Sequence, residues 1–149
     1  MSHAYVSNLM HCTFSTKERC PFIDAGLESR LWPYIGGIAN ENRMKPLAIG
    51  GTADHLHALL SIPGMMSFAK AVQLIKGGSS KWVHDTFSEQ RKFAWQEGYG
   101  AFSVSVSQTS ETIAYINNQK EHHRRKSFEE EFIELLNRHA VDYDSRHVF

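Results

Sequence analysis

The stretch "GGTADHLHALLSI", residues 50–62, decides how this chain is read. Its second half, "HLHALLSI", is an apolar run of strand length with two histidines one residue apart. The preceding "KPLAIGGTA" (45–53) reads as another short strand, with a turn near Thr52–Asp54. Side chains alternate along a strand. If Leu56, Ala58 and Leu60 face a core, His55, His57 and Leu59 share the other face. Residues two apart then project to one side, roughly 6.5–7 Å from each other, so two imidazoles can converge on one ion. The same spacing also fits two histidines that hydrogen-bond locally on a half-exposed strand.

Working outward, "YVSNLMHCTFS" (5–15) sets Val6, Met10, Cys12 and Phe14 against Tyr5, Ser7, Leu9, His11 and Thr13, which predicts a first strand. "DAGLESRLWPYIGGIANENR" (24–43) carries Leu27, Leu31, Ile35 and Ile38 at helical intervals, interrupted by Pro33 and Gly36-Gly37. "SFAKAVQLIKGGSSKWVHDTF" (67–87) is a helix with Ser67 as N-cap. "FAWQEGYGAFSVSVS" (93–107) is a strand region bent at Gly98 and Gly100. A polar helix, "SETIAYINNQKEHHRRK" (110–126), precedes "SFEEEFIELLNRHA" (127–140), which opens with a Ser127–Glu130 capping box. The order is strand, helix, strand, strand, helix, strand, then two helices. That is an α+β chain, a ferredoxin-like split βαβ sheet with helices on one face and a C-terminal helical extension. The open face must carry a ligand, a partner chain or the extra helices.

At 149 residues the chain has the usual size of one domain, here 1–149. No apolar run approaches the ~20 residues of a membrane span. The N-terminus lacks a basic region followed by an apolar one, so a cytoplasmic location is expected, with Cys12 and Cys20 as reduced thiols. Formal net charge is zero, so any nucleic-acid role must rest on a local patch. No GxxxxGK[ST] loop implies a nucleotide cofactor.

In "YINNQ" (115–119), Tyr115 and Gln119 stand four apart on one helix face. A glutamine carbonyl is a usable ligand for a hard cation, and a tyrosine one turn away reaches whatever that cation polarises. Helix spacing also suits Tyr115 as a core residue beside Ile113 and Ile116, with Gln119 solvated. The densest basic run is "KEHHRRK" (120–126), which holds Arg124, while Lys76 and Lys81 flank "GGSS" (77–80), where missing side chains leave the backbone open to an anion. The first run also reads as a solvated helix end, and the second as a helix break. His11, on the open face of the first strand, neighbours the third strand. Trp82 and Trp95 read as core.

Together, His55-Leu56-His57 and Tyr115-x-x-x-Gln119 resemble the single-tyrosine HUH transposases of bacterial insertion sequences, and their relatives associated with repetitive extragenic palindromes. Further likeness lies in "KGGSSKW" (76–82), "WQEGYGAFSVS" (95–105) and "NQKEHHRRKSFEEEF" (118–132), so the resemblance covers nearly the whole chain. It implies that His55, His57 and Gln119 bind Mg²⁺ or Mn²⁺. It implies that Tyr115 attacks a scissile phosphate in single-stranded DNA beside a hairpin, giving a 5′-phosphotyrosine and a free 3′-hydroxyl. His11, Lys76, Lys81 and Arg124 are the candidate DNA contacts. It also implies a homodimer, in which the tyrosine helix completes its own site or its partner's. Two other readings stand beside this one: a non-catalytic single-stranded nucleic-acid-binding module, and a small metal hydrolase using His122 or His123 with the pair.

Overall fold

Four strands, β1 (Leu9–Ser15), β2 (Lys45–Thr52), β3 (His55–Ser61) and β4 (Gly100–Val104), form one sheet in the computed structural model, which describes residues 4–149. Their order is β2-β3-β1-β4, antiparallel at every pairing. Helix α1 (Ala25–Glu41) crosses from β1 to β2, and α2 (Phe68–Thr86) from β3 to β4. This is the expected split βαβ layout.

Met10, Cys12 and Phe14 of β1 and Leu56, Ala58 and Leu60 of β3 point to one face. There they meet Leu27, Leu31 and Ile35 of α1 and Ala71, Val72 and Ile75 of α2, all essentially without solvent contact. Each large side chain so buried contributes about 1.5–3 kcal/mol against exposure. Asp24 accepts from the Leu27 amide at 2.8 Å and Ser67 from the Lys70 amide at 3.0 Å, so each helix starts on a side-chain cap.

Several sequence expectations shift. The first strand begins at Leu9, leaving Tyr5 and Val6 outside it and exposed. Without a facing strand, alternation alone did not extend the pairing. Pro33 and Gly36-Gly37 do not interrupt α1, and Gly77-Gly78 do not break α2. A Cβ on Gly78 would lie 2.9 Å from Ile38 Cδ1, so that glycine serves the α1–α2 contact. Trp95 is buried as expected, whereas Trp82 is half-buried and stacks on Tyr34. The strand region at 93–107 yields only the five residues of β4, although Trp95 bridges to Thr16.

The second face of the sheet is covered by the chain's own C-terminal helices, α3 (Thr109–Asn117), α4 (Gln119–His122) and α5 (Phe128–Arg138). Ile116 of α3 packs with Leu59 and Ala48, and Phe128, Phe132, Leu135 and Leu136 of α5 pack on Phe102 of β4. The expected capping box opens α5, with Ser127 accepting from the Glu130 amide. The single polar helix expected over 110–126 is in fact broken at Asn118.

Helix α3 comes down on β2 at Gly50. A Cβ there would lie 2.5 Å from the Ile116 carbonyl oxygen, closer than real contacts allow. Gly50→Ala is therefore expected to push α3 off the sheet and to cost about 1–3 kcal/mol of stability. Thermal unfolding reads this directly. An unchanged melting temperature would mean that α3 does not hold this close approach.

Candidate active site

His55 and His57 lie on the face of β3 that α3–α5 cover, and neither has solvent contact. Their Nε2 atoms face the same small volume. His57 Nε2 is 2.7 Å from Glu131 Oε1, and His55 Nε2 is 3.8 Å from that same oxygen. His123 Nε2 approaches Glu131 Oε1 to 3.1 Å. One ligand atom each from His55, His57, His123 and Glu131 all fall within 4.8 Å of one another. Donors about 2.0–2.2 Å from a common ion sit about 3–4.4 Å apart, so a closure of a few tenths of an ångström brings these four onto a single divalent cation.

The outer edges of the two rings are also held. His55 Nδ1 lies 2.8 Å from Asp54 Oδ1 and 2.9 Å from Thr52 Oγ1. Burial alone would raise the Asp54 carboxyl, but hydrogen bonds with His55 and Thr52 outweigh it and hold it low. An ionised Asp54 accepts a hydrogen bond from Nδ1–H and so turns the Nε2 lone pair inward, the usual orientation of a ligating histidine. Gln119 Nε2 donates to the Tyr115 carbonyl at 3.2 Å, which fixes Gln119 Oε1 against His55 Nε2 at 2.9 Å. Two lone-pair atoms so placed need a proton or a cation between them. The donor set therefore fits a metal ion. His57 Nδ1 pairs with His11 Nε2 at 2.8 Å. Burial draws His57 down to about 4, against the bond to Glu131, which raises it. Burial with the neighbouring His57 takes His11 to about 3. At neutral pH both rings are neutral, the form that ligates.

Tyr115 projects from α3 into this cluster. Its ring centroid is 5.5 Å from that of His57, and its O–H donates to Glu131 Oε2. Burial, then the Glu131 charge, pushes the phenol above its ordinary value. For Glu131 itself, burial would raise the carboxyl, but hydrogen bonds with His123 and His57 prevail and hold it well below the usual carboxylate range. The resting site thus pairs a protonated tyrosine with an ionised glutamate. Within the chain, Tyr115 lies beside the histidine pair.

Among the residues singled out from sequence, the fold brings together His55, His57, Tyr115, Gln119 and, through His57, His11. Gln119 is buried, and its side chain keeps the stacking on Tyr115 expected of one helix although a helix break lies between them. The lysines lie elsewhere. Lys76 is half-buried on the helical face of the sheet and donates to the carbonyls of Gln96 and Gly98, both at 2.7 Å. Burial lowers it to about 8. Its ammonium is committed to the loop before β4, which departs from the expected phosphate cradle at "GGSS". Lys81 pairs with Asp85 at 2.8 Å on the outside of α2. Arg124 is exposed, and with Lys120 and Lys126 it lines a groove of 640 Å³ that also touches Asp54 and His123. Two functional candidates escaped the sequence reading, Asp54 and Glu131. Glu131 did leave a signal. It stands three residues after Phe128 and four before Leu135, which places a carboxylate on the apolar stripe of α5.

No curated protein matches the chain in sequence. In fold it is similar to a protein assigned as a transposase in Deinococcus radiodurans R1, with a TM-score of 0.65, 22% identity, and coverage of 80% of this chain and 96% of that one. It is also similar to a REP-associated tyrosine transposase solved bound to a REP hairpin, with a TM-score of 0.61, 15% identity, and coverage of 83% of this chain and 73% of that one. Identities this low speak for the fold alone. Residues 4–119 match the family described as transposase IS200 like. That span holds the histidine pair and Tyr115 and ends on Gln119, so His123 and Glu131 lie beyond it. With most of its length inside the match, the chain belongs to the IS200-like transposase family.

Proposed function

We propose that this transposase is a metal-dependent single-stranded DNA strand transferase with Tyr115 as nucleophile. The observation that carries the reading is the shared carboxylate. Glu131 holds the Tyr115 hydroxyl with one oxygen and meets His57 and His123 with the other. A nucleophile and a cation site are thereby set side by side. His55, His57, His123 and Glu131, with the Gln119 carbonyl, would hold Mg²⁺ or Mn²⁺, which supplies charge neutralisation on the phosphate under attack.

The chain's own residues do the rest. Tyr115 Oη attacks phosphorus, and its proton passes to Glu131 Oε2 as the new bond forms. The phenol is a weak acid at rest, so this transfer accompanies the attack rather than preceding it. The 3′-oxygen of the upstream strand leaves and takes a proton from solvent. The downstream strand stays on Tyr115 as a 5′-phosphotyrosine. A phenol has a pKa near ~10, so the phenolate is a better leaving group than an alkoxide, and a second 3′-hydroxyl can reverse the linkage. Buried His11 and half-buried Asp54 orient the two ligating rings. Hairpin-bearing DNA ends are the proposed substrate, in keeping with the REP hairpin held by the similar structure. Arg124 borders the site and is the proposed backbone contact on its groove. Lys76 and Lys81 meet DNA only where the strand also crosses the helical face. A homodimer belongs to the same proposal, with the tyrosine helix completing its own site or its partner's.

The test uses 3′-labelled single-stranded DNA from the palindromes flanking the gene, incubated with wild-type protein in Mg²⁺, in Mn²⁺ and in chelator. We expect a shifted, protease-sensitive band on a denaturing gel that requires the metal. DNA bound equally well in chelator, with no adduct in any lane, would make the chain a binding module instead.

A further inference from the structure

We infer that the cleft bounded by β4, α3 and α5 seats the nucleotide adjoining the scissile phosphate, with Arg138 gripping its backbone. This rests on the strand-transferase reading of Tyr115. The cleft measures 570 Å³, and Tyr115 and His11 both line it. That size lies within the roughly 300–1,000 Å³ of small-ligand sites. Tyr115 thus presents itself to two spaces, the ion cluster through its hydroxyl and this cleft through its flank. A strand whose phosphate lies at the hydroxyl must continue somewhere, and the cleft opens from that point.

Arg138 ends α5 and lines the cleft wall opposite α3. Its guanidinium makes no ion pair or hydrogen bond among the described residues. A cation there complements the helix dipole in any case. Its place on the nucleophile's own cleft is what a merely dipolar role leaves unexplained. A planar, always-charged fork suits a phosphate diester. The α3 side differs. Glu111 carries the opposite charge there, and no hydrogen bond among the described residues uses the side-chain amide of Gln108. A phosphate is repelled from that wall, whereas a base edge finds both a donor and acceptors on it. Leu135 supplies apolar surface between the two. The charge asymmetry orients the strand, with the phosphate toward α5 and the base toward α3.

Arg138 is exposed, so its variants should fold, which a thermal melt confirms. The probe is a fluorescein-labelled single strand carrying the same palindrome, with binding followed by anisotropy over a salt series. Arg138→Ala is expected to weaken binding about tenfold and to reduce the slope of log K against log salt by about 0.7, the loss of one single-strand phosphate contact. Adduct formation should fall at low DNA concentration and recover at saturation. Arg138→Lys should restore part of the affinity. Unchanged affinity and slope in Arg138→Ala, with a normal Tyr115 adduct, would overturn the seat while leaving the transferase standing. A weaker, shallower isotherm with no adduct even in wild type would keep the seat and sink the transferase. Failure of the wild type to bind the strand at all would overturn both.

Discussion

Tyr115→Phe is expected to abolish the covalent protein–DNA adduct while single-stranded DNA affinity stays within about twofold. The substitution removes one hydroxyl, which donates to the Glu131 carboxylate. It leaves the ring in its place against His57 and His11. Stability should fall by about 1.5–3 kcal/mol, the contribution of a hydrogen bond to a charged group, while the ring packing persists. Without the oxygen there is nothing to bond phosphorus, so the loss should be complete rather than partial. A denaturing gel beside an anisotropy titration checks both halves. An adduct that survives in Tyr115→Phe would place the nucleophile elsewhere.

The second large effect is expected at Glu131. Glu131→Gln keeps the shape and lets the amide oxygen accept the phenol's hydrogen bond, but the side chain no longer takes up a proton. General-base assistance is typically worth 10²–10⁴-fold, so the single-turnover rate of adduct formation should fall by roughly that amount. Divalent-ion affinity should fall as well, because one anionic ligand is replaced by a neutral one. Mn²⁺ binding followed by electron paramagnetic resonance separates this from the rate. Faster adduct formation in Glu131→Gln would contradict the assignment, since it would make the carboxylate a restraint on Tyr115 rather than its proton acceptor.

Much of this site was legible in the sequence, for a reason that lies in periodicity. Strand alternation puts His55 and His57 on one face whatever the tertiary structure, and helix spacing stacks Gln119 on Tyr115 even across the break at Asn118. The remainder depends on how α5 docks. Nothing local says that Glu131 will arrive beside His57, 74 residues away, although its place on an apolar stripe is the mark of a buried carboxylate. Asp54 was read as a turn residue, and its bond to His55 follows only from the turn geometry. The surroundings of the lysines were hidden for the opposite reason. "KGGSSK" looks like a phosphate loop in composition, yet a continuous helix with Gly78 set against Ile38 accounts for the glycines, and three loop carbonyls take the Lys76 ammonium.

The central claim is that Tyr115, beside the His55–His57 pair, becomes joined to DNA. The most direct measurement is mass spectrometry of the adduct after exhaustive nuclease and protease digestion. The account expects a nucleotide phosphate on the peptide containing Tyr115, formed with Mg²⁺ or Mn²⁺ and absent with chelator. A nucleotide on Tyr99 or Tyr143, or one that forms equally well in chelator, would contradict it.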